Sequence, residues 1–240
     1  LSTVRNCFAS LFTDRAISYR DNFNFDHFDI GLSVCIQKMV RSDLASSGVA
    51  FSLDTESGFK DVVLINGSYG LGEMVVQGSV SPDEFIIYKP TFKEGYKSII
   101  EKKMGRKENK MIYSTDPGKL VKTVHVGNTQ QNEFCISDNQ ALKITEWVCL
   151  IEDHYSKLKG KWCPMDVEWA IDGLSNELYI VQARPETIHS RKKDNDLKEY
   201  IIDPNTEKEI KITGIAVGDK IGQGTIQKMY SLDGRDGSFD

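Results

Sequence analysis

The sequence lacks any apolar run near the roughly 20 residues that cross a bilayer, so no transmembrane helix and no membrane partner are expected. It also lacks paired cysteines. The five present, Cys7, Cys35, Cys135, Cys149 and Cys163, are odd in number and form no C-x-x-C. The four histidines, His27, His125, His154 and His189, each stand alone, with none at ligand spacing. That pattern argues against zinc and against a disulfide framework, and for a reducing cytoplasm. Positive charge is not in excess. The formal net charge is −5, which leaves no basic footprint for nucleic acid. No G-x-G-x-x-G opens a βαβ unit, so a dinucleotide fingerprint is absent. The opening LSTVRNCFASLF has neither an initiator Met nor the apolar core of a signal peptide, and it reads as the start of an excised piece.

What is present is an ordinary globular composition, 40% hydrophobic and 27% charged over 240 residues. That length holds one large domain, or one domain and part of another. The clearest constellation lies between Pro164 and Thr187. Two alternating runs flank a turn-forming centre at Asp172, Gly173, Ser175 and Asn176, which predicts a β-hairpin. Residues two apart in a strand share a face. Asp166 and Glu168 therefore point one way, and Met165, Val167 and Trp169 the other. On the return run Gln182 and Arg184 share a face, with Val181 and Ala183 opposite and Leu178 and Ile180 on the Gln182 side. Pairing would gather two carboxylates, an amide and a guanidinium. Hard cations such as Mg²⁺ prefer carboxylate and amide oxygens and keep room for substrate phosphates. Arg presents a planar fork to phosphate. The plain alternative is a solvated face with a cross-strand ion pair.

Elsewhere the pattern predicts a helix within residues 1–20, a buried strand at Ile30–Val40 and a turn at Ser46-Ser47-Gly48. Further strands are expected at VAFSLDTESG, Asp61–Ile65 and Pro82–Pro90. Gly67, Gly70, Gly72 and Gly78 suggest a loop needing positive φ. The lysine-rich stretch Tyr96–Lys110 reads as a solvated face. MIYS, VKTVHV and EFCIS read as short strands. Asn139–Leu158 is a helix, with Asp138 as N-cap and Glu146, Glu152 and Asp153 off its apolar stripe.

DVEWAIDG followed by LYIVQARPET resembles the metal-and-phosphate hairpin of the ATP-grasp domain in phosphoenolpyruvate synthases (pyruvate, water dikinases), to which pyruvate phosphate dikinase and rifampicin phosphotransferase are related. ASLFTDRAISYR and YGLGEMVVQGSVSPDEF resemble the same family. The resemblance implies an α+β fold: an ATP-grasp subdomain with a mixed or antiparallel β-sheet and packing helices over residues 1–189. A charged linker follows at 190–209, and the opening strands of a swivelling phosphohistidine domain at 210–240. It implies ATP and Mg²⁺ as cofactors, with the backbone of Gln37, Lys38, Met39 and Val40 meeting the adenine edge. Glu73 and Gln77 become candidates for nucleotide or metal contacts. Glu168 and Gln182 would hold Mg²⁺, and Arg184 would grip a phosphate as the catalytic residue. Asp166 would orient Arg184 or a metal-bound water.

The implied reaction makes phosphoenolpyruvate, AMP and phosphate from ATP, pyruvate and water through a phosphohistidine. The implied partners are pyruvate, the swivelling domain and a second copy of the full enzyme. No G-G-x-T-x-H-A segment occurs, so the phosphoacceptor histidine is expected outside these residues. The alternatives are the ATP module of a rifampicin phosphotransferase-like enzyme, or a non-catalytic nucleotide-binding module.

Overall fold

A strand persists only where a neighbour completes its hydrogen-bond ladder, and that requirement separates the two parts of this chain. The computed structural model describes residues 1–186 and divides the chain after Val40. The expected linker at 190–209, the expected second domain at 210–240 and His189 lie outside the described residues.

In the first unit, α1 (Ser2–Ala9) and α2 (Asp14–Phe23) are joined by a single 3₁₀ turn, and Asn24 ends α2 at φ 54°. Arg20 is buried, and its Nε donates to His27 Nδ1 at 3.0 Å. The strand expected at Ile30–Val40 is not formed. No ladder partner for it occurs among the described residues, and Ile36 is 90% exposed. Apolar, β-branched composition alone did not make it a strand.

The second unit contains β1 (Ser46–Phe51), β2 (Val62–Tyr69), a short α3 (Glu73–Val76), β3 (Asp83–Tyr88) and α4 (Lys89–Lys93). Next come β4 (Ile99–Lys103), β5 (Asn109–Tyr113), β6 (Val121–His125), α5 (Asn128–Gln131), α6 (Asp138–Lys159), β7 (Met165–Ile171) and β8 (Leu178–Pro185). Six strands form one sheet in the order β4-β3-β2-β1-β7-β8, with every neighbour pair antiparallel. Strands β5 and β6 form a separate pair. The α+β expectation therefore holds in its antiparallel form. Among the described residues no helix is long and apolar enough to cross a membrane.

Helix α6 covers one face of the large sheet. Ala141, Ile144, Val148 and Cys149 pack with Ala50, Val63, Ile65, Phe85, Ile87, Val167 and Trp169. Its N-cap is Ser137 rather than Asp138. The Ser137 hydroxyl accepts from Gln140 N and the Gln140 side chain accepts from Ser137 N, a closed capping box. Gly160 ends the helix at φ 63°. Glu152 departs from the sequence reading. It is buried, 2.7 Å from Lys89 Nζ, and it accepts from Trp162 Nε1 at 2.9 Å.

Ser46-Ser47-Gly48 is strand rather than turn, because β2 and β7 claim its two edges. Strand β2 runs on through Asn66 and Gly67 to Tyr69, so part of the expected glycine loop is sheet. Lys89 and Pro90 open α4 instead of closing β3. EFCIS is not a strand; Cys135 N there donates to Asp83 Oδ2 at 2.7 Å.

Asp83 is fully buried. Besides Cys135 N it accepts from Gly105 N at 2.9 Å and from Lys107 Nζ. Lys107 is also fully buried and donates to Gly105 O at 2.9 Å, so one member of the lysine-rich stretch is core. This ion pair clips the turn after β4 and the loop before α6 onto the start of β3. Removing one partner of a buried pair strands the other charge. Lys107→Met is expected to cost about 3–5 kcal/mol in chemical denaturation. Lys102→Met, which breaks the solvated 2.9 Å bridge to Asp138, should cost about 1 kcal/mol or less.

Candidate functional site

The hairpin of β7 and β8 forms with the expected polarity. Met165, Val167 and Trp169 are buried under α6, and Asp166 and Glu168 face the other way. Glu168 stands opposite Gln182, and Asp166 opposite Arg184. Directly opposed residues of an antiparallel pair share a face, so the four side chains gather on one surface. One part of the sequence reading is corrected. The register shifts between Glu168 and Trp169, so that Trp169 pairs with Ile180 and Val181 is the extra residue. This bulge turns Leu178 and Ile180 onto the core face while Gln182 stays on the polar face.

The turn is tied down locally. Asp172 Oδ1 accepts from Leu174 N at 2.8 Å, and Asn176 adopts φ 58°. Gly173 N donates to Arg41 O at 3.0 Å. A side chain at Gly173 would meet Leu44 Cβ at 2.4 Å.

Arg184 Nε donates to Asp166 Oδ2 at 2.8 Å, and Nη2 lies 2.7 Å from the same oxygen. Asp166 is 11% exposed at its side chain and Arg184 65%. The carboxylate is thus a fixed anchor, and the outer edge of the guanidinium remains in solvent. Glu168 is half-buried, and its carboxylate accepts no hydrogen bond among the described residues. Burial pushes its carboxyl above the ordinary carboxylate range, the Asp166 charge adds to the rise, and Arg184 opposes it. Gln182 is exposed.

The donor set suits Mg²⁺ in one respect. A carboxylate short of hydrogen bonds faces an amide, and Mg²⁺ is commonly held by one or two carboxylates with waters and phosphates completing its shell. No group of three His, Cys, Asp or Glu suited to a metal occurs among the described residues. Protein ligands alone would not complete a coordination sphere.

The loop at 70–78 crosses the same face. Ser47 and Val49 share a face with Glu168, since Ser47 pairs with Ala170 and Val49 with Glu168. A Cβ on Gly72 would lie 3.4 Å from Ser47 Oγ, so Glu73 begins α3 directly above that face. Gln77 Nε2 donates to Glu73 Oε1 at 2.8 Å, and both are exposed. The structure therefore brings Glu73 and Gln77 to the face of Glu168, Gln182, Asp166 and Arg184. Gln37, Lys38, Met39 and Val40 belong to the first unit. Their backbone is in neither helix nor strand.

Asn66 was missed by sequence reasoning. It pairs with Val49, which pairs with Glu168, so it joins the same row. Its buried Oδ1 has no hydrogen-bond partner among the described residues. Ending β2 at Ile65 hid it; continued alternation from Leu64 to Ser68 would have shown it.

The Glu168 carboxyl holds its proton more readily in the folded chain than in the unfolded one. Its stabilising contribution is full below the ordinary carboxylate range and is lost as pH rises through the raised folded value. Without Mg²⁺, Glu168→Gln should therefore gain stability relative to the parent as pH rises from about 4 to 7. The gain should be up to about 1 kcal/mol, since the group is partly solvated. Thermal melts of both proteins across that range test this; parallel curves would contradict it.

Residues 1–202 match the family described as pyruvate phosphate dikinase, AMP/ATP-binding domain. The chain is 56% identical to the phosphoenolpyruvate synthase of Aquifex aeolicus over 235 residues, covering 97% of this chain and 27% of the relative. It is 54% identical to that of Synechocystis over 232 residues, covering 97% and 28%. It is 44% identical to that of Escherichia coli over 234 residues, again covering 97% and 28%. The chain thus spans little more than a quarter of the length of these relatives. With the match covering most of its length, the chain belongs to the pyruvate phosphate dikinase AMP/ATP-binding domain family.

Proposed function

We propose that this chain is the ATP-binding part of a phosphoenolpyruvate synthase. The observation that carries the reading is the register of β7 and β8. It sets Glu168 against Gln182 and Asp166 against Arg184 on one face of a chain in an AMP/ATP-binding family. The whole polypeptide would convert ATP, pyruvate and water into phosphoenolpyruvate, AMP and phosphate through a phosphohistidine. The ATP-grasp architecture, the swivelling phosphohistidine domain beginning near 210, a homodimeric full enzyme and a cytoplasmic location belong to the same proposal. All five cysteines are free thiols, which suits a reducing compartment.

Phosphoryl transfer depends mainly on positioning and on neutralising charge. Glu168 and Gln182 would hold Mg²⁺, which when bound supplies charge neutralisation at phosphate oxygens. Arg184 offers N–H groups not engaged by Asp166, and these would clamp a phosphate. Asp166 keeps the guanidinium in place at the moment of transfer. Glu73 and Gln77 would complete the polar rim, and the backbone of Gln37, Lys38, Met39 and Val40 would recognise adenine.

Two measurements test this reading. The 240-residue chain carries a fraction of the relatives' length, so it should bind ATP weakly. Calorimetry should give a constant from high micromolar to millimolar, about −4 to −5.5 kcal/mol. No detectable binding at millimolar ATP would count against the reading.

In a polypeptide of the relatives' full length, Arg184→Lys keeps the charge and loses the fork. Single-turnover phosphorylation of the acceptor histidine from labelled ATP should slow by about 10²–10³-fold, by analogy with lost oxyanion donors. A purely structural ion pair, worth about 1 kcal/mol or less, would lower the melting temperature and spare turnover. A rate within about threefold of the parent, or ~0.7 kcal/mol in barrier, would remove Arg184 from the mechanism.

A further inference from the structure

We infer that the β5–β6 hairpin, acting through Gly70, is the positioning element that sets Glu73 over the Glu168 face. The inference rests on the reading of Glu73 as a metal or nucleotide contact proposed above, and it assigns a role to a part of the chain that reading leaves unused.

The segment from Gly70 to Gly72 leaves the end of β2 and must turn sharply to lay α3 across the sheet. It is fixed on two sides. On the sheet side, Gly70 N donates to Ala45 O at 3.1 Å, and Ser47 Oγ donates to Gly70 O at 2.6 Å. On the hairpin side, Leu71 N donates to Met111 O at 2.9 Å. Glycine is required between the two. Gly70 has φ +87°, and a Cβ there would lie 2.5 Å from Met111 O and 3.0 Å from Lys110 Cβ. The obstacle is backbone, which cannot swing aside as a side chain could.

The hairpin takes no place in the six-stranded sheet. Its own anchor is Tyr113, whose ring lies 5.7 Å below the Arg41 guanidinium. Arg41 is held in turn by Asp43 through two hydrogen bonds of 2.8 and 2.9 Å, and Asp43 is buried. A chain of contacts thus runs from Asp43 through Arg41, Tyr113 and Met111 to Gly70, three residues before Glu73. None of these side chains needs to touch ligand. Their effect is on where the Glu73 carboxylate sits.

The test uses the full-length polypeptide and reads two quantities: the Mg²⁺ concentration giving half-maximal phosphoryl transfer from ATP, and the melting temperature. Gly70→Ala should raise the Mg²⁺ requirement by about 10–100-fold, the usual range when a support of a metal ligand is lost. Gly95→Ala is the control. Gly95 has φ +92° with open space around it, so it carries the backbone strain without the collision. It should lower the melting temperature and leave the Mg²⁺ requirement unchanged.

Glu73→Gln separates this inference from the reading beneath it. If Glu73→Gln leaves the Mg²⁺ requirement unchanged, the role of Glu73 fails and this inference with it. If Glu73→Gln raises the requirement and Gly70→Ala does not, the inference alone is overturned. Should Gly70→Ala not fold, Tyr113→Ala decides. It is expected to raise the requirement in the same direction, and an unchanged value there overturns the proposal.

Discussion

Trp169 packs against Gly48 and Gly67, where the two neighbouring strands carry no side chain, and the placement of the polar face follows from that seat. A Cβ on Gly48 would approach the indole Cζ2 at 2.8 Å, and one on Gly67 at 2.7 Å. The indole is 1% exposed, with Nε1 donating to Val49 O at 3.3 Å. An aromatic ring of this size buries enough apolar surface to dominate its neighbourhood. Moving β7 by one residue would drive the ring into solvent and Glu168 into the core. The register of β1, β2 and β7 is therefore held by a packing constraint, and the carboxylates on the opposite face inherit their positions from it.

Two buried ion pairs perform a different task from the half-exposed pair of Asp166 and Arg184. Asp83 with Lys107, and Glu152 with Lys89, tie loops and a helix to the sheet, and each carboxylate also accepts hydrogen bonds from other groups. Such pairs are weak evidence of net stability but strong evidence of fixed geometry, because neither member can be left alone. Asp166 and Arg184 are arranged otherwise. One oxygen faces both Nε and Nη2, and much of the guanidinium is in solvent. The core pairs are closed circuits, whereas this one has capacity left over.

The alternation in PMDVEWAI and QARP was enough to read that Asp166, Glu168, Gln182 and Arg184 face together, because period-2 patterning carries that information directly, but it misplaced Leu178 and Ile180. The Val181 bulge was not readable. Nothing in one sequence says which residue of an apolar run will be skipped. Ile30–Val40 had the composition of a strand, but composition cannot say whether a neighbour exists. Glu152 and Lys107 looked like surface charges because helix stripes and lysine runs are averages, and a buried partner 63 or 24 residues away is invisible to local pattern. Asn66 and the role of Gly70 depend on cross-strand and cross-loop neighbours, which again are long-range facts.

The polar face is electrostatically unfinished, and its deficits are of complementary kinds. The Glu168 carboxylate is partly buried beside Asp166, accepts no hydrogen bond among the described residues and has a raised pKa, so it is stabilised by any cation that arrives. Arg184, beside it, has N–H groups to spare for an anion. A cation alone would satisfy the first and repel the second, and an anion alone would do the reverse. A magnesium-bound phosphate carries both signs at a separation of one oxygen. The pairing of Glu168 with Gln182, two residues along the strand from Asp166 with Arg184, places the two needs side by side on one face. In this reading the polyphosphate of ATP is the missing term that closes the circuit, and the core pairs show what a closed circuit looks like in the same fold.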